Sequence, residues 1–122
     1  MLKKILIANR GEIAIRLARA VAEYGARSVA IHSTDDARSL HVRATDESCA
    51  LDGRGVAPYL DIEKVVGAAL ATGCDALHPG YGFLSENAAL ARRCAEAGII
   101  FIGPSAELLD LFGDKQKARE FA

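Results

Sequence analysis

Three short polar segments hold residue types that could do chemistry. The first is Asn9-Arg10-Gly11-Glu12, a glycine-containing turn directly after the apolar run Ile5-Leu6-Ile7-Ala8. A helix start of this kind points backbone N–H groups at an anion. A dinucleotide-binding turn places three glycines here, as G-x-G-x-x-G, so that the chain can approach a pyrophosphate. Only Gly11 is present, and Glu12 sets a negative charge where a phosphate would sit. Asp35 and Asp36 could imitate the ribose-binding acid after the second strand, but without the glycines they read as turn residues.

The second segment is His78-Pro79-Gly80-Tyr81-Gly82-Phe83-Leu84-Ser85-Glu86-Asn87. One proline and two glycines specify an unusual backbone path, and His78, Tyr81 and Glu86 supply polar tips. It follows a strand and leads into a helix, the edge where ligands gather in open α/β sheets. A structural turn is the other reading, with Ser85 as helix cap, Glu86 complementing the helix dipole and Tyr81 in the core. The third segment is Gly113-Asp114-Lys115. A lysine at a helix start opposes the dipole, so one placed there could serve as a point charge on a phosphate. It could equally be an exposed surface lysine.

A fourth pattern lies along the first helix. Glu12, Arg16, Arg19 and Glu23 share one narrow stripe bordered by Ile15. The stripe reads either as a solvated face with Glu12–Arg16 and Arg19–Glu23 pairs or as a subunit contact. His32 and His41 have no metal-ligand spacing, and no nucleophile elbow, P-loop or H-E-x-x-H occurs.

These residues need strands and helices to hold them. Ile5 to Ala8 reads as a buried strand. Ile13, Ala14, Leu17, Ala18, Val21 and Ala22 form one apolar helical face that Gly25 stops. Ser28 to Ile31 is a second strand, which completes a right-handed βαβ unit. Leu40 to Ala44 makes a short helix at best, and Ser48 to Leu51 a weak third strand. Asp61 caps a helix carrying Ile62, Val65, Val66, Ala69 and Leu70, ended by Gly73. A fourth strand begins at Asp75-Ala76-Leu77. Ser85 is expected to cap a helix over residues 86–97, closed by Gly98. Ile99 to Ile102 is the fifth strand, and Ser105 caps a short helix to Phe112. The alternation predicts an α/β, doubly wound, mainly parallel sheet with helices on both faces. Gly113-Asp114 then starts a new helical pattern that simply stops at Ala122, as in a truncated chain. This places a domain boundary at 112/113, with residues 1–112 as one domain and 113–122 as the start of another.

Composition narrows the function classes. With 51% apolar and 25% charged residues, the 122-residue chain can build one ordinary core. Fifteen basic against 16 acidic residues leave no excess to neutralise phosphates, so no nucleic-acid partner is expected. No apolar run approaches a membrane span and no secretory signal is evident, so a cytoplasmic location and no membrane partner are expected. Cys49, Cys74 and Cys94 are odd in number and lack C-x-x-C spacing, which suggests free thiols in a reducing compartment.

Taken together, the polar segments resemble the biotin carboxylase family. Lys4 to Ala14 is similar to that family's opening, as are His78 to Asn87 and Phe101-Ile102-Gly103-Pro104, and Gly113-Asp114-Lys115 is similar to the start of its ATP-grasp region. The resemblance covers the whole chain, which departs from the common pattern at Arg54 and Pro58. Acetyl-CoA, propionyl-CoA, pyruvate and urea carboxylases share this module. The resemblance implies a Rossmann-like pre-ATP-grasp fold. It implies a full-length ligase that uses MgATP and bicarbonate to carboxylate biotin on a carrier protein, with carboxyl carrier and carboxyltransferase domains or subunits as partners. It assigns Lys115 to ATP binding, Tyr81 and Glu86 to the lining of the central cleft, and Arg16, Arg19 and Glu23 to a homodimer contact. No catalytic residue and no metal ligand falls within these residues. The chain alone is therefore expected to be inactive, with no ATP, Mg2+ or biotin bound. Two other readings stand beside it: a structural or assembly module without chemistry of its own, and a receiver-like signalling domain, which would want an acidic pair where Asn9-Arg10 stands.

Overall fold

The computed structural model describes residues 2–103. Strand β1 (Lys4–Ile7) leads into helix α1 (Gly11–Tyr24), followed by β2 (Arg27–His32), the one-turn α2 (Leu40–Arg43) and β3 (Glu47–Ala50). Helix α3 (Ile62–Ala71), β4 (Ala76–His78), α4 (Ala88–Glu96) and β5 (Ile100–Phe101) complete the described chain. All strand pairs are parallel, in the order β3-β2-β1-β4-β5. The α/β doubly wound expectation therefore holds. This order reverses direction between β1 and β4, as in dinucleotide-binding folds, whereas receiver domains follow the order 2-1-3-4-5. The receiver-like reading is excluded by strand order as well as by Asn9-Arg10.

The pleat of β1 divides the core. Leu6 and Ala8 face α3 and α4, where they meet Tyr59, Val65, Val66, Leu77, Leu90 and Cys94. Ile5 and Ile7 face α1, against Val21 and Ala14. Successive residues on opposite faces are what a period of two dictates, and both faces are apolar because both are covered. Leu6, Ile7, Ile31 and Leu77 are fully buried, each worth about 1.5–3 kcal/mol relative to exposure. At the amino edge, the Asp75 carboxylate accepts from the backbone N–H of Lys3 and Lys4 at 2.8 and 2.9 Å, which locks the start of β1 beside β4.

Helix ends follow the sequence signals with one exception. Gly25 closes α1 with φ +98° and donates to Val21 and Ala22 carbonyls. The Asp61 side chain caps α3 by accepting from Lys64 N at 3.1 Å. The expected cap at Ser85 is wrong: α4 begins at Ala88, and Asn87 Oδ1 accepts from Leu90 N at 3.0 Å. The preceding residues are spent on consecutive turns, closed by Ser85 N to Gly82 O at 2.9 Å and Asn87 N to Leu84 O at 3.0 Å. Pro58 is buried in a 3-10 turn over Ala57–Leu60, near its start where a missing N–H is harmless. Arg54 is exposed.

Candidate functional site

The crevice at the β1/β4 switch point is where an open α/β sheet would receive a ligand. Here it is stitched shut. Asn9, one residue beyond the hydrogen-bonded end of β1, is fully buried. Its Nδ2 donates to the carbonyls of Pro79 at 2.9 Å and Tyr81 at 2.7 Å, while its Oδ1 accepts from Arg10 N at 2.8 Å. Ala8 N donates to His78 O at 2.9 Å, which continues the strand pairing up to this clasp. Gly80 completes it, with φ +67° and no room for a side chain. A Cβ there would stand 2.9 Å from Ile13 Cγ2, 3.0 Å from Asn9 Nδ2 and 3.1 Å from Leu17 Cδ1. Asn9 and the first turns of α1 thus pack directly against Gly80.

Beside the clasp, Arg10 turns toward β2. Its guanidinium donates to Asp36 Oδ1 at 2.8 Å and lies 5.8 Å from the ring centroid of Tyr59. Asp36 Oδ2 also accepts from Tyr59 Oη at 2.7 Å and Ser33 Oγ at 3.3 Å. Burial pushes the Asp36 carboxyl up, but the bonds from Tyr59 and Arg10 outweigh it and hold the group below the ordinary carboxylate range. Burial, with the bond to Asp36 second, pushes the Tyr59 phenol up to about 12. A phenol held neutral is a donor at every ordinary pH, so this knot fixes the loops after β1 and β2 against the turn before α3. Arg10 Nε is buried without a partner among the described residues. Behind the knot, the buried His41 meets the Ile31 carbonyl through Nε2 at 3.0 Å and Ser39 Oγ through Nδ1 at 2.9 Å. Burial holds its pKa below the usual imidazole value despite the Ile31 bond.

The sequence did not mark Asn9, Asp36 and Tyr59 as partners. Asn9 was visible as part of a turn, and Asp36 as an acid after β2. What joins them are contacts between residues 70 and 23 positions apart, which local spacing does not carry.

The outer part of the 78–87 loop behaves differently. Phe83 adopts φ +48°, rare for a bulky side chain and a strain that surrounding contacts must hold. Those contacts are its ring against Tyr59, centroids 5.8 Å apart, and the burial of Leu84. With Phe83 and Leu84 turned inward, Tyr81 is left 77% exposed and Glu86 is exposed. The core placement considered for Tyr81 is therefore wrong: its backbone is clasped by Asn9 while its ring faces solvent. Neither the Tyr81 phenol nor the Glu86 carboxylate has a hydrogen bond or ion pair among the described residues, and the structure leaves them at the carboxyl edge as free polar groups. Burial lowers the pKa of His78, whose Nδ1 accepts from Gly80 N at 3.1 Å as part of the turn.

On α1, the stripe is exposed as expected at Glu12, Arg16, Arg19 and Glu23, but Ile15 is half-buried rather than free. Glu12 and Arg16 pair at 3.5 Å, with both side chains mostly in solvent, whereas Arg19 and Glu23 do not pair with each other. Glutamate four residues before arginine is the favoured orientation, and the reverse is weaker. Lys115, Gly113 and Asp114 lie outside the described residues, as does the expected helix from Ser105 to Phe112. Among the described residues, no group of three His, Cys, Asp or Glu could hold a metal ion, and no helix is long and apolar enough to cross a membrane. All three cysteines are free, Cys74 and Cys94 being buried.

A sheet in the order β3-β2-β1-β4-β5 whose switch point is clasped by Asn9 defines a doubly wound α/β domain. Comparison with known proteins gives the family. Residues 1–109 match the family described as biotin carboxylase, N-terminal domain, and the chain belongs to it. It is 55% identical over 124 residues to a pyruvate carboxylase of Bacillus subtilis, covering 99% of this chain and 11% of that protein. It is 51% identical over 118 residues to a biotin carboxylase of Nostoc, covering 96% of this chain and 26% of that one. The biotin carboxylase domain of a single-chain bacterial carboxylase superposes with a TM-score of 0.91 at 55% identity, over 98% of this chain and 28% of that one. The chain thus spans between about a tenth and about a quarter of the length of the curated relatives it matches.

Proposed function

We propose that this chain is the amino-terminal part of a longer ATP-dependent ligase that carboxylates biotin, and that these residues support an active site built mostly by other parts of that protein. The match of residues 1–109 to the biotin carboxylase N-terminal domain carries the reading. Its partners are a biotin carboxyl carrier and a carboxyltransferase, as domains or subunits, and its setting is cytoplasmic, in keeping with three free thiols. The first domain ends at residue 112, and residues 113–122 open the ATP-grasp region.

Within this reading, ATP, Mg2+ and bicarbonate supply an activated carboxyl group that passes to the ureido nitrogen of biotin. The present residues hold loops and charges toward that chemistry. Asn9 and Gly80 fix the root of the 78–87 loop, so that Tyr81 and Glu86 project from a rigid base toward the cleft. Arg16, Arg19 and Glu23 form a contact with a second copy of the full protein, for which the exposed stripe is suited. Lys115 is a point charge on the nucleotide phosphates. By itself the 122-residue chain does not hydrolyse ATP in response to bicarbonate, a reading supported by its spanning only 11% and 26% of two of the relatives it matches.

Lys115→Ala in the full-length protein tests the central assignment. Loss of a charge-assisted contact costs about 1.5–3 kcal/mol. At ~1.4 kcal/mol per tenfold, the KM for ATP rises roughly 10- to 100-fold. The melting temperature stays nearly unchanged. ATP titration of biotin carboxylation at saturating bicarbonate reads the effect, and an unaltered KM would return Lys115 to the ordinary surface.

A further inference from the structure

The turn over residues 82–85 carries a bulky side chain where a glycine would ordinarily stand. Ser85 N closes it by donating to Gly82 O at 2.9 Å, so Phe83 and Leu84 are its central residues. Of these two only Phe83 has a positive φ, at +48°. A turn with positive φ at its first central position alone favours glycine there, because a Cβ is strained in that conformation. What phenylalanine supplies instead is a ring. It packs against the ring of Tyr59 with centroids 5.8 Å apart and 46° between the planes, a tilted aromatic pair. Tyr59 is a fixed seat. It is fully buried, and its hydroxyl is tied twice, donating to Asp36 Oδ2 at 2.7 Å and accepting from Ser33 N at 3.2 Å. Leu84, buried in the same apolar cluster, anchors the second central residue.

We propose that Phe83 is a positioning residue for biotin carboxylation: seated on Tyr59, it sets the path of the loop that aims Tyr81 and Glu86 toward the cleft. The inference rests on the reading of the chain as part of that ligase and on the place given there to Tyr81 and Glu86. Backbone strain of this kind persists only where surrounding contacts enforce it, and it gathers where geometry serves function. The loop has two clamps of different kinds. Asn9 holds the backbone carbonyls of Pro79 and Tyr81, on the strand side. Tyr59 holds a side chain farther along, and comes from the 3-10 turn before α3. The two residues to be aimed stand on either side of Phe83. From the clasped Tyr81 the path to Glu86 is set by the turn at Phe83 and by Asn87 N donating to Leu84 O at 3.0 Å. Loss of the Phe83 seat would swing both tips, and a small misplacement of groups that contact a reacting molecule is costly in rate.

Kinetics of the full-length protein in two backgrounds test this. Phe83→Gly removes the ring and leaves a residue that the turn accepts. It should lower kcat/KM for ATP- and bicarbonate-dependent carboxylation of biotin roughly 10- to 100-fold. In a Tyr81→Ala/Glu86→Gln background the same substitution should cost about twofold or less, because the groups it aims are gone. An equal cost in both backgrounds would show that Phe83 serves the fold alone, and would overturn the inference. Phe83→Leu keeps an apolar side chain on the seat and should show the same background dependence at smaller size; it takes the place of Phe83→Gly if that variant does not fold. Amide hydrogen exchange needs no activity. Phe83→Gly should speed exchange at Ser85 and Asn87 several-fold in the full-length protein, and unchanged exchange there would mean that the ring does not hold the turn, against the inference. Absence of biotin carboxylation by the unaltered full-length protein would instead overturn the ligase reading, whatever the exchange shows.

Discussion

The two loops that leave the sheet at the switch point, residues 8–11 and 78–87, begin alike and end differently. Each follows a strand, carries a polar side chain beside a glycine and leads toward a helix. The first turns inward at Asn9, which is buried, while the half-exposed Arg10 is tied to Asp36 and lies against Tyr59. The second is held at its root by Asn9 and Gly80 and then turns outward, which leaves the Tyr81 and Glu86 side chains without partners among the described residues. The difference teaches that polar residues at a ligand edge divide into those that make the edge rigid and those that it presents. Burial and hydrogen bonding separate the two groups, because a buried polar atom left unpaired is costly, and Arg10 Nε is the one such side-chain atom among the described residues.

Asn9→Asp should break the comparison most severely. The substitution keeps the shape and the acceptor for Arg10 N but sets a carboxylate oxygen against two carbonyls. A loss of about 3 kcal/mol is expected from burying an unpaired charged acceptor, read as a lower urea midpoint at unchanged slope. Gly80→Ala comes next. Its Cβ would collide with Ile13, Asn9 and Leu17 at a left-handed φ, and overpacking of this kind costs about 2 kcal/mol. If Gly80→Ala were neutral, the root of the second loop would be softer than the structure implies.

Asp36→Asn sharpens the account of the first loop. It removes the charge that Arg10 and Tyr59 share, at about 1.5–2 kcal/mol. The phenol of Tyr59 should then titrate closer to its ordinary value, which ultraviolet difference spectra at alkaline pH would reveal. A pH effect of smaller size follows from the imidazoles. Burial lowers the pKa of both His41 and His78 in the folded chain. The unfolded chain therefore takes up protons first on acidification. The stability they contribute is complete above about pH 6.5 and is lost as the pH falls through the folded values. Urea midpoints at pH 8 and pH 5.5 should differ in that direction, and His41→Gln should shrink the difference.

The smallest effect on stability belongs to the outward groups. Tyr81→Ala and Glu86→Gln should each change stability by less than about 0.5 kcal/mol. In the full-length protein, by contrast, the proposed place of Tyr81 and Glu86 in the cleft predicts roughly a tenfold fall in kcat/KM for each, from the loss of one polar contact. Thermal unfolding of the domain together with kinetics of the whole protein checks both halves. A variant that lowered the stability of the domain by well over about 0.5 kcal/mol and left the kinetics unchanged would place these residues with the clasp instead.

Local pattern was enough for the elements whose signals are local. The apolar run of β1, the period of α1 and its stop at Gly25, the Asp61 cap and the alternation of strands with helices are short-range facts. They specify a doubly wound α/β domain before any contact is known. The ordered motifs around Asn9 and His78 were likewise enough to point to the family. Tertiary structure decided what spacing along the chain does not contain. It moved the cap of the fourth helix from Ser85 to Asn87, because Phe83 and Leu84 are drawn onto Tyr59 and the core, and the intervening residues close turns instead. It also chose the strand order that excludes a receiver domain. It made Asn9 a clasp rather than part of an anion-binding turn, since that depends on two carbonyls from a strand end 70 residues away meeting one buried amide. A residue's type limits which bonds it can make; which bonds it does make is settled by what the fold brings within 3 Å of it while excluding water.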